Sequence, residues 1–141
     1  MIGWKKVEIC GKYGRTGRYA ILKLDIRGKV VKPDQTATVY PPRGYTRFVT
    51  KFRTDKLKVL EAFRPRTREH VVLKEGEFFI AGHVSGMGLD VKESSVIGTV
   101  YEYKVGRIQK PANKFNPSPS AGCAAGLHFF DVRANAENWS L

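Results

Sequence analysis

The sequence predicts an α+β fold that is mainly antiparallel β-sheet and ends in a short C-terminal helix. Three observations lead there. Short apolar runs alternate with polar residues at period two, the spacing that turns one side of a strand inward. Fourteen glycines and seven prolines separate those runs, where turns need them. No heptad and no internal repeat competes with this pattern. At 141 residues the chain has the size of one domain with a real core, and we read 1–141 as a single unit.

The elements follow in order. Residues 4–10 alternate through Trp4, Val7 and Ile9 and read as a first strand. Residues 11–18, Gly-Lys-Tyr-Gly-Arg-Thr-Gly-Arg, form a glycine-punctuated basic loop, the long tip of an N-terminal hairpin. Residues 18–26 alternate cleanly, with Ile21 on one face and Leu22, Leu24 and Ile26 on the other, which predicts a strand buried on both faces near its centre. Gly28 turns the chain, and residues 29–32 make a short strand before Pro33. Tyr40-Pro-Pro-Arg-Gly-Tyr45 is a rigid turn, because each proline fixes φ and removes a donor. Residues 46–54 alternate again, with Phe48 and Phe52 in phase, and residues 56–63 are extended. Arg64-Pro-Arg-Thr-Arg68 is a second loop rich in charge. Residues 70–73 and 77–80 bracket the Glu75-Gly76 turn, residues 81–88 are glycine-rich and irregular, and residues 96–105 are β-like. Gly106 breaks that run, residues 107–110 lead to Pro111, and residues 113–122 are loop. Residues 127–132 are the last strand, and residues 134–139 a short helix with Asp131 or Asn135 near its start.

Charge separates the halves. The net charge is +12, but residues 1–74 hold 19 Lys/Arg against 6 Asp/Glu, net +13, while residues 75–141 hold 6 against 7, net −1. A one-sided field of this kind attracts polyanions, nucleic acid first and an acidic protein next. The excess concentrates in three segments, the first two of which mix cations with aromatics: Lys12, Tyr13, Arg15 and Arg18; Arg43, Tyr45 and Arg47; and Arg64, Arg66 and Arg68. Lys and Arg neutralise phosphates, and Tyr stacks on unpaired bases.

Other chemistries find less support. Gly82-x-x-x-Gly86-x-Gly88 lacks the Lys-Ser/Thr of a phosphate loop, and Gly11-x-x-Gly14-x-x-Gly17 opens no helix whose dipole would hold a pyrophosphate. Cys123-x4-His128 matches no standard zinc spacing. We therefore expect no metal and no cofactor. Cys123 beside His128 is the one pairing suited to nucleophilic catalysis, and it needs a lowered thiol pKa. Two cysteines are too few for a disulfide framework, and no apolar run approaches the roughly 20 residues of a membrane helix. With no apolar leader at the N-terminus, the expectation is a cytoplasmic protein away from the membrane.

Three stretches carry a resemblance: Phe52-Arg-Thr-Asp-Lys-Leu-Lys-Val-Leu60; Tyr103-Lys-Val-Gly106 on to Pro111 and Phe115; and Cys123-x-x-Gly126-Leu-His-Phe-Phe130-x5-Ala136-x-x-Trp139. Together they resemble a domain family of unknown function from phages, large DNA viruses and bacteria, sometimes attached to pentapeptide repeats. The likeness spans most of residues 19–139, and the last motif is its most specific part. It implies a phage or mobile-element context and assigns no catalytic residue. The Gly126-Leu-His-Phe-Phe130 segment is also similar to the Gly-Ile-Tyr-Phe-Ala segment of ADP-ribosyltransferases. Those enzymes place a catalytic Glu much later, whereas here only Glu137 follows.

The expectation is a small, basic, non-enzymatic module that binds nucleic acid or another polyanion through the three segments. Its tail is structural, with Phe129, Phe130 and Trp139 in the core and Gly126 in a tight turn. The alternatives are an enzyme that uses Cys123 and His128 on a nucleotide-like substrate, and an adaptor that binds an acidic host protein.

Overall fold

The computed structural model describes residues 1–81, 101–111, 115–120 and 126–140. The expectations for residues 82–100, which include the glycine-rich run and the start of the strand expected over 96–105, lie outside the described residues. So do both ends of the loop expected over 113–122 and the position of Cys123.

The described chain is mostly antiparallel β-structure with a short C-terminal helix, as the period-two alternation predicts. β1 (Ile2–Gly11) and β2 (Gly14–Ile26) form a long hairpin. β3 is Val30–Val31, β4 Ala37–Val39, β5 Arg47–Val49, β6 Phe52–Thr54 and β7 Leu57–Phe63. β8 (Phe78–Ala81), β9 (Tyr101–Tyr103), β10 (Ile108–Gln109), β11 (Leu127–Phe129) and α1 (Arg133–Glu137) complete it.

Six strands in the order β10-β7-β2-β1-β8-β9 curl into a nearly closed barrel. The two edge strands, β9 and β10, are neighbours in sequence, and a buried glutamine joins them. Gln109 Nε2 donates to Glu102 O at 2.8 Å, and Gln109 Oε1 accepts from Lys104 N at 2.9 Å. A side-chain amide thus stands in for two ladder bonds at the seam.

The barrel fills from alternate positions: Val7 and Ile9, then Ala20, Leu22, Leu24 and Ile26, then Leu57 and Val59. Burying each large aliphatic side chain contributes about 1.5–3 kcal/mol. Ala20, Ile21 and Leu22 are all fully buried, so the centre of β2 is covered on both faces as its sequence predicts. A second sheet, β11-β6-β3, closes one end, with Phe52 stacked on Phe129 at a centroid distance of 5.5 Å. Phe130 joins this sheet to β1 through paired bonds to Trp4, at 2.7 and 2.8 Å. Outside the barrel, α1 and the β4–β5 hairpin share a small cluster of Val39, Phe130 and Ala136.

Some elements differ from their sequence expectations. The basic loop over 11–18 is not a long tip: Gly11 pairs with Gly14, so only Lys12 and Tyr13 turn, and a bulge at Thr16 and Gly17 absorbs the rest. Thr16 Oγ1 bonds Ile9 O at 2.6 Å and holds that bulge in the ladder. The alternation over 46–54 belongs to two strands in two sheets. Phe48 faces solvent on β5, while Phe52 enters the core on β6, so the chain changes sheet between them. The run over 70–73 forms no named strand, only a bridge from His70 to Phe63. β4 has no counterpart in the sequence reading, being three residues long. α1 starts one residue before the expected span, with Val132 at its N-cap and no side-chain cap. Its anchor is packing, since Ala136 is fully buried.

Candidate functional site

The three basic segments meet different fates. In the first, Lys12 and Tyr13 crown the β1–β2 turn, and Tyr13 is 94% exposed. Arg15 and Arg18 lie on β2, not on a loop. Arg15 Nε reaches both oxygens of Glu8 at 2.9 Å, and Arg18 is bonded to Glu77. In the third, Arg64 pairs with Glu69 at 2.9 Å. Arg66 docks on the helix, its backbone N–H donating to Glu137 Oε1 at 3.2 Å and its guanidinium to Asn138 Oδ1 at 3.4 Å. Arg68 is exposed. A cation already matched to a carboxylate presents a weaker field to a ligand.

The second segment is different. It forms the loop of an arm, the β4–β5 hairpin, in which Thr38 pairs with Phe48 and Val39 with Arg47. One face of the arm lies on α1 through Ala37, Val39 and Val49. The other side and the loop are open: Tyr45 is 92% exposed, Phe48 73% and Tyr40 58%. Arg43 and Arg47 are exposed beside them, with no carboxylate partner among the described residues. No acidic residue lies between Asp34 and Asp55.

The segments are brought partly together. Arg18 and Arg64 line one hollow with Tyr19 and His70, which joins the first segment to the third. The third meets the arm at the end of α1, where Asn138 takes the Arg66 guanidinium on its side chain and the Tyr40 N–H on its carbonyl at 3.0 Å. Between them runs a row of cations over rings. Lys6 Nζ sits 4.8 Å from the Tyr19 centroid and donates to Trp139 O at 3.0 Å, while Lys51 Nζ sits 4.2 Å from the Trp139 centroid. The Lys6 amine is held below its ordinary range, by burial first and then by Arg66.

Lys6, Tyr19, Lys51, Phe48 and Trp139 were not singled out by the sequence as site residues. For Phe48 and Lys51 the signal was present in the long acid-free run. For Lys6 and Tyr19 it was not, because their proximity depends on strand register and on the docking of α1.

The tail is structural at its aromatic positions. Phe129 and Phe130 are buried, while Trp139 is only half-buried against Phe130. Gly126 is needed for closeness: a methyl there would lie 3.2 Å from both Arg53 Cβ and the Phe115 ring. His128 is partly buried on β11 among Lys5, Lys51 and Arg53. Burial first, and then those cations, push its imidazole down to about 3, so it is neutral at physiological pH. Cys123 lies outside the described residues, so the Cys123–His128 pairing has no geometry here. The other thiol, Cys10, is buried and pushed up to about 11, chiefly by burial, which makes it a poor nucleophile.

Among the described residues, no cluster of three or more His, Cys, Asp or Glu could hold a metal, and no helix is long and apolar enough to cross a membrane. Comparison with protein-family models, curated proteins and solved structures finds no match to this chain.

Proposed function

We propose that the protein is a non-enzymatic module that binds single-stranded nucleic acid along the β4–β5 arm and the cation–aromatic row beside it. The supporting observation is the arm itself. Three large aromatic side chains, Tyr40, Tyr45 and Phe48, are exposed next to Arg43 and Arg47, with no acidic residue in that stretch. Exposing such rings is unfavourable unless something covers them. Stacking on a base is worth about 1–3 kcal/mol per base and tolerates any sequence. Duplex reading is less favoured, since among the described residues the helix is α1, whose five residues are too few to enter a major groove. Phosphate neutralisation by Arg43, Arg47, Lys51 and Lys6 supplies the remainder. A phage or mobile-element setting, implied by the tail's resemblance, suits a binder of unpaired strands.

The test is fluorescence anisotropy with labelled single-stranded and double-stranded oligonucleotides. Tyr45→Ala and Phe48→Ala should each weaken single-strand binding by roughly tenfold, the lower part of the stacking range. Arg15→Ala should change it little, because Arg15 is held by Glu8. Equal affinity for duplex, or arm variants that bind like the parent, would reject this reading. An acidic protein partner would then be the next candidate.

A further inference from the structure

A second concave basic site shares no residue with the arm or with any of the three sequence-defined segments. The turn after β2, the turn between β6 and β7, and the chain after β10 border an open hollow of about 650 Å³. Arg27, Lys29, Lys56 and Lys110 line it, with Asp55 as the one acid and Phe115 as the aromatic wall. The lining carries four cations against one carboxylate, net +3. Arg27 is shared with Asp25 at 2.9 Å, whereas no carboxylate pairs Lys29, Lys56 or Lys110 among the described residues.

The pocket is built rather than accidental. The N–H groups of Arg27 and Gly28 both donate to Lys56 O at 3.0 Å, and the Lys29 N–H donates to Asp55 Oδ1 at 2.7 Å. These bonds tie the two turns together, so that Lys29 and Lys56 border the same hollow. Gly28 makes the approach possible, since a methyl there would lie 2.7 Å from Lys56 N. The Tyr101 hydroxyl donates to Lys110 O and steadies the third cation's backbone. The Phe115 ring is seated against Gly126. The backbones that carry these cations are therefore set before any ligand arrives, and binding has only the lysine side chains left to order.

We propose that this pocket binds a nucleoside polyphosphate. Lys29, Lys56 and Lys110 take the phosphate chain, Phe115 stacks on the base, and Asp55 accepts from a ribose hydroxyl. The combination of clustered ammonium groups, one fixed carboxylate and one ring matches the three parts of such a ligand. An inorganic anion would use only the first. The site is independent of the strand-binding arm, with which it shares no residue.

Calorimetric titration at about 50 mM salt, where screening is weak, tests it with ATP and with inorganic tripolyphosphate. ATP should bind more tightly than tripolyphosphate. Lys29→Ala with Lys56→Ala should weaken ATP by roughly tenfold or more, the loss expected for one or two charge-assisted bonds. Phe115→Ala should remove the preference for ATP over tripolyphosphate. The double lysine variant should still bind the labelled oligonucleotide, and the Tyr45→Ala variant should still bind ATP. The proposal is overturned if ATP does not bind, if the lysine pair does not matter, or if tripolyphosphate equals ATP in the parent. It is also overturned if the arm variant loses ATP and oligonucleotide together, which would make the pocket part of one strand-binding surface.

Discussion

Phe129 and Trp139 come from the same tail motif, yet they do different work. Phe129 is almost wholly buried, stacked on Phe52 beneath the barrel, whereas Trp139 is half-buried with Lys51 over its face. Phe129→Ala should therefore cost about 3–5 kcal/mol in urea unfolding, as for other core aromatics, and Trp139→Ala clearly less. A sequence reading that treats all three tail aromatics as core filling overstates Trp139. Lys5 supplies a second residue-scale prediction. Its ammonium group is drawn into the protein, donates to His128 O at 3.0 Å, and is lowered to about 7 by burial first and by Lys51 second. Between about pH 7 and the ordinary lysine value of 10.5, the unfolded chain binds a proton that the folded chain does not. Stability must then rise with pH across that window. His128, lowered from 6.5 to about 3, imposes the same sign across its own lower window. Urea midpoints should accordingly climb between about pH 3 and 9, above which Cys10, raised from 9.0 to about 11, acts with the opposite sign. Lys5→Met should flatten the upper limb and His128→Gln the lower one, whereas parallel curves for parent and variants would contradict both assignments.

At the scale of elements, the seam between β9 and β10 and the arm are the informative places. At the seam the Gln109 amide, which is 3% exposed, bonds Glu102 and Lys104. Gln109→Ala strands a carbonyl at Glu102 and an N–H at Lys104, and an unmade buried bond costs about 1–3 kcal/mol. Hydrogen exchange at Lys104 should quicken in that variant more than exchange in β2, whose ladders lie on both sides. Neither feature is legible in the sequence. A single glutamine near a glycine turn has no pattern, and three-residue strands such as β4 are too short for alternation to show. The long strands were legible, because seven residues of alternation in β1 and nine in β2 leave little freedom of register. The run over 46–54 shows the limit. Its alternation is real, but two separate cores claim its two halves, so one pattern served two strands.

For the whole molecule, charge governs how binding should respond to salt. If about four cations from the arm and its row contact a single strand, affinity should fall roughly fifty-fold between about 50 and 200 mM salt, from a slope of about −0.7 per phosphate. A steeper fall would bring in the paired arginines, Arg15, Arg18 and Arg64, which would have to leave their carboxylates. A flat response would remove the electrostatic basis of the proposal. Anisotropy across a salt series distinguishes these outcomes.

Period-two alternation, turn residues and the distribution of lysine and arginine are local properties, and they sufficed for the antiparallel class, the main strands and the basic character of the first half. Which cations remain available depends on contacts far apart in sequence. Arg18 finds its carboxylate 59 residues away at Glu77, and Arg66 docks on a helix 71 residues on. The pocket between Arg27 and Lys110 likewise joins turns that share no sequence pattern. Ion pairs and concavities form only when register and packing bring distant side chains within reach, and for that reason folding, rather than composition, decides which cations stand open: the arm has two arginines where each of the other segments has three cations, yet its two have no carboxylate partner among the described residues.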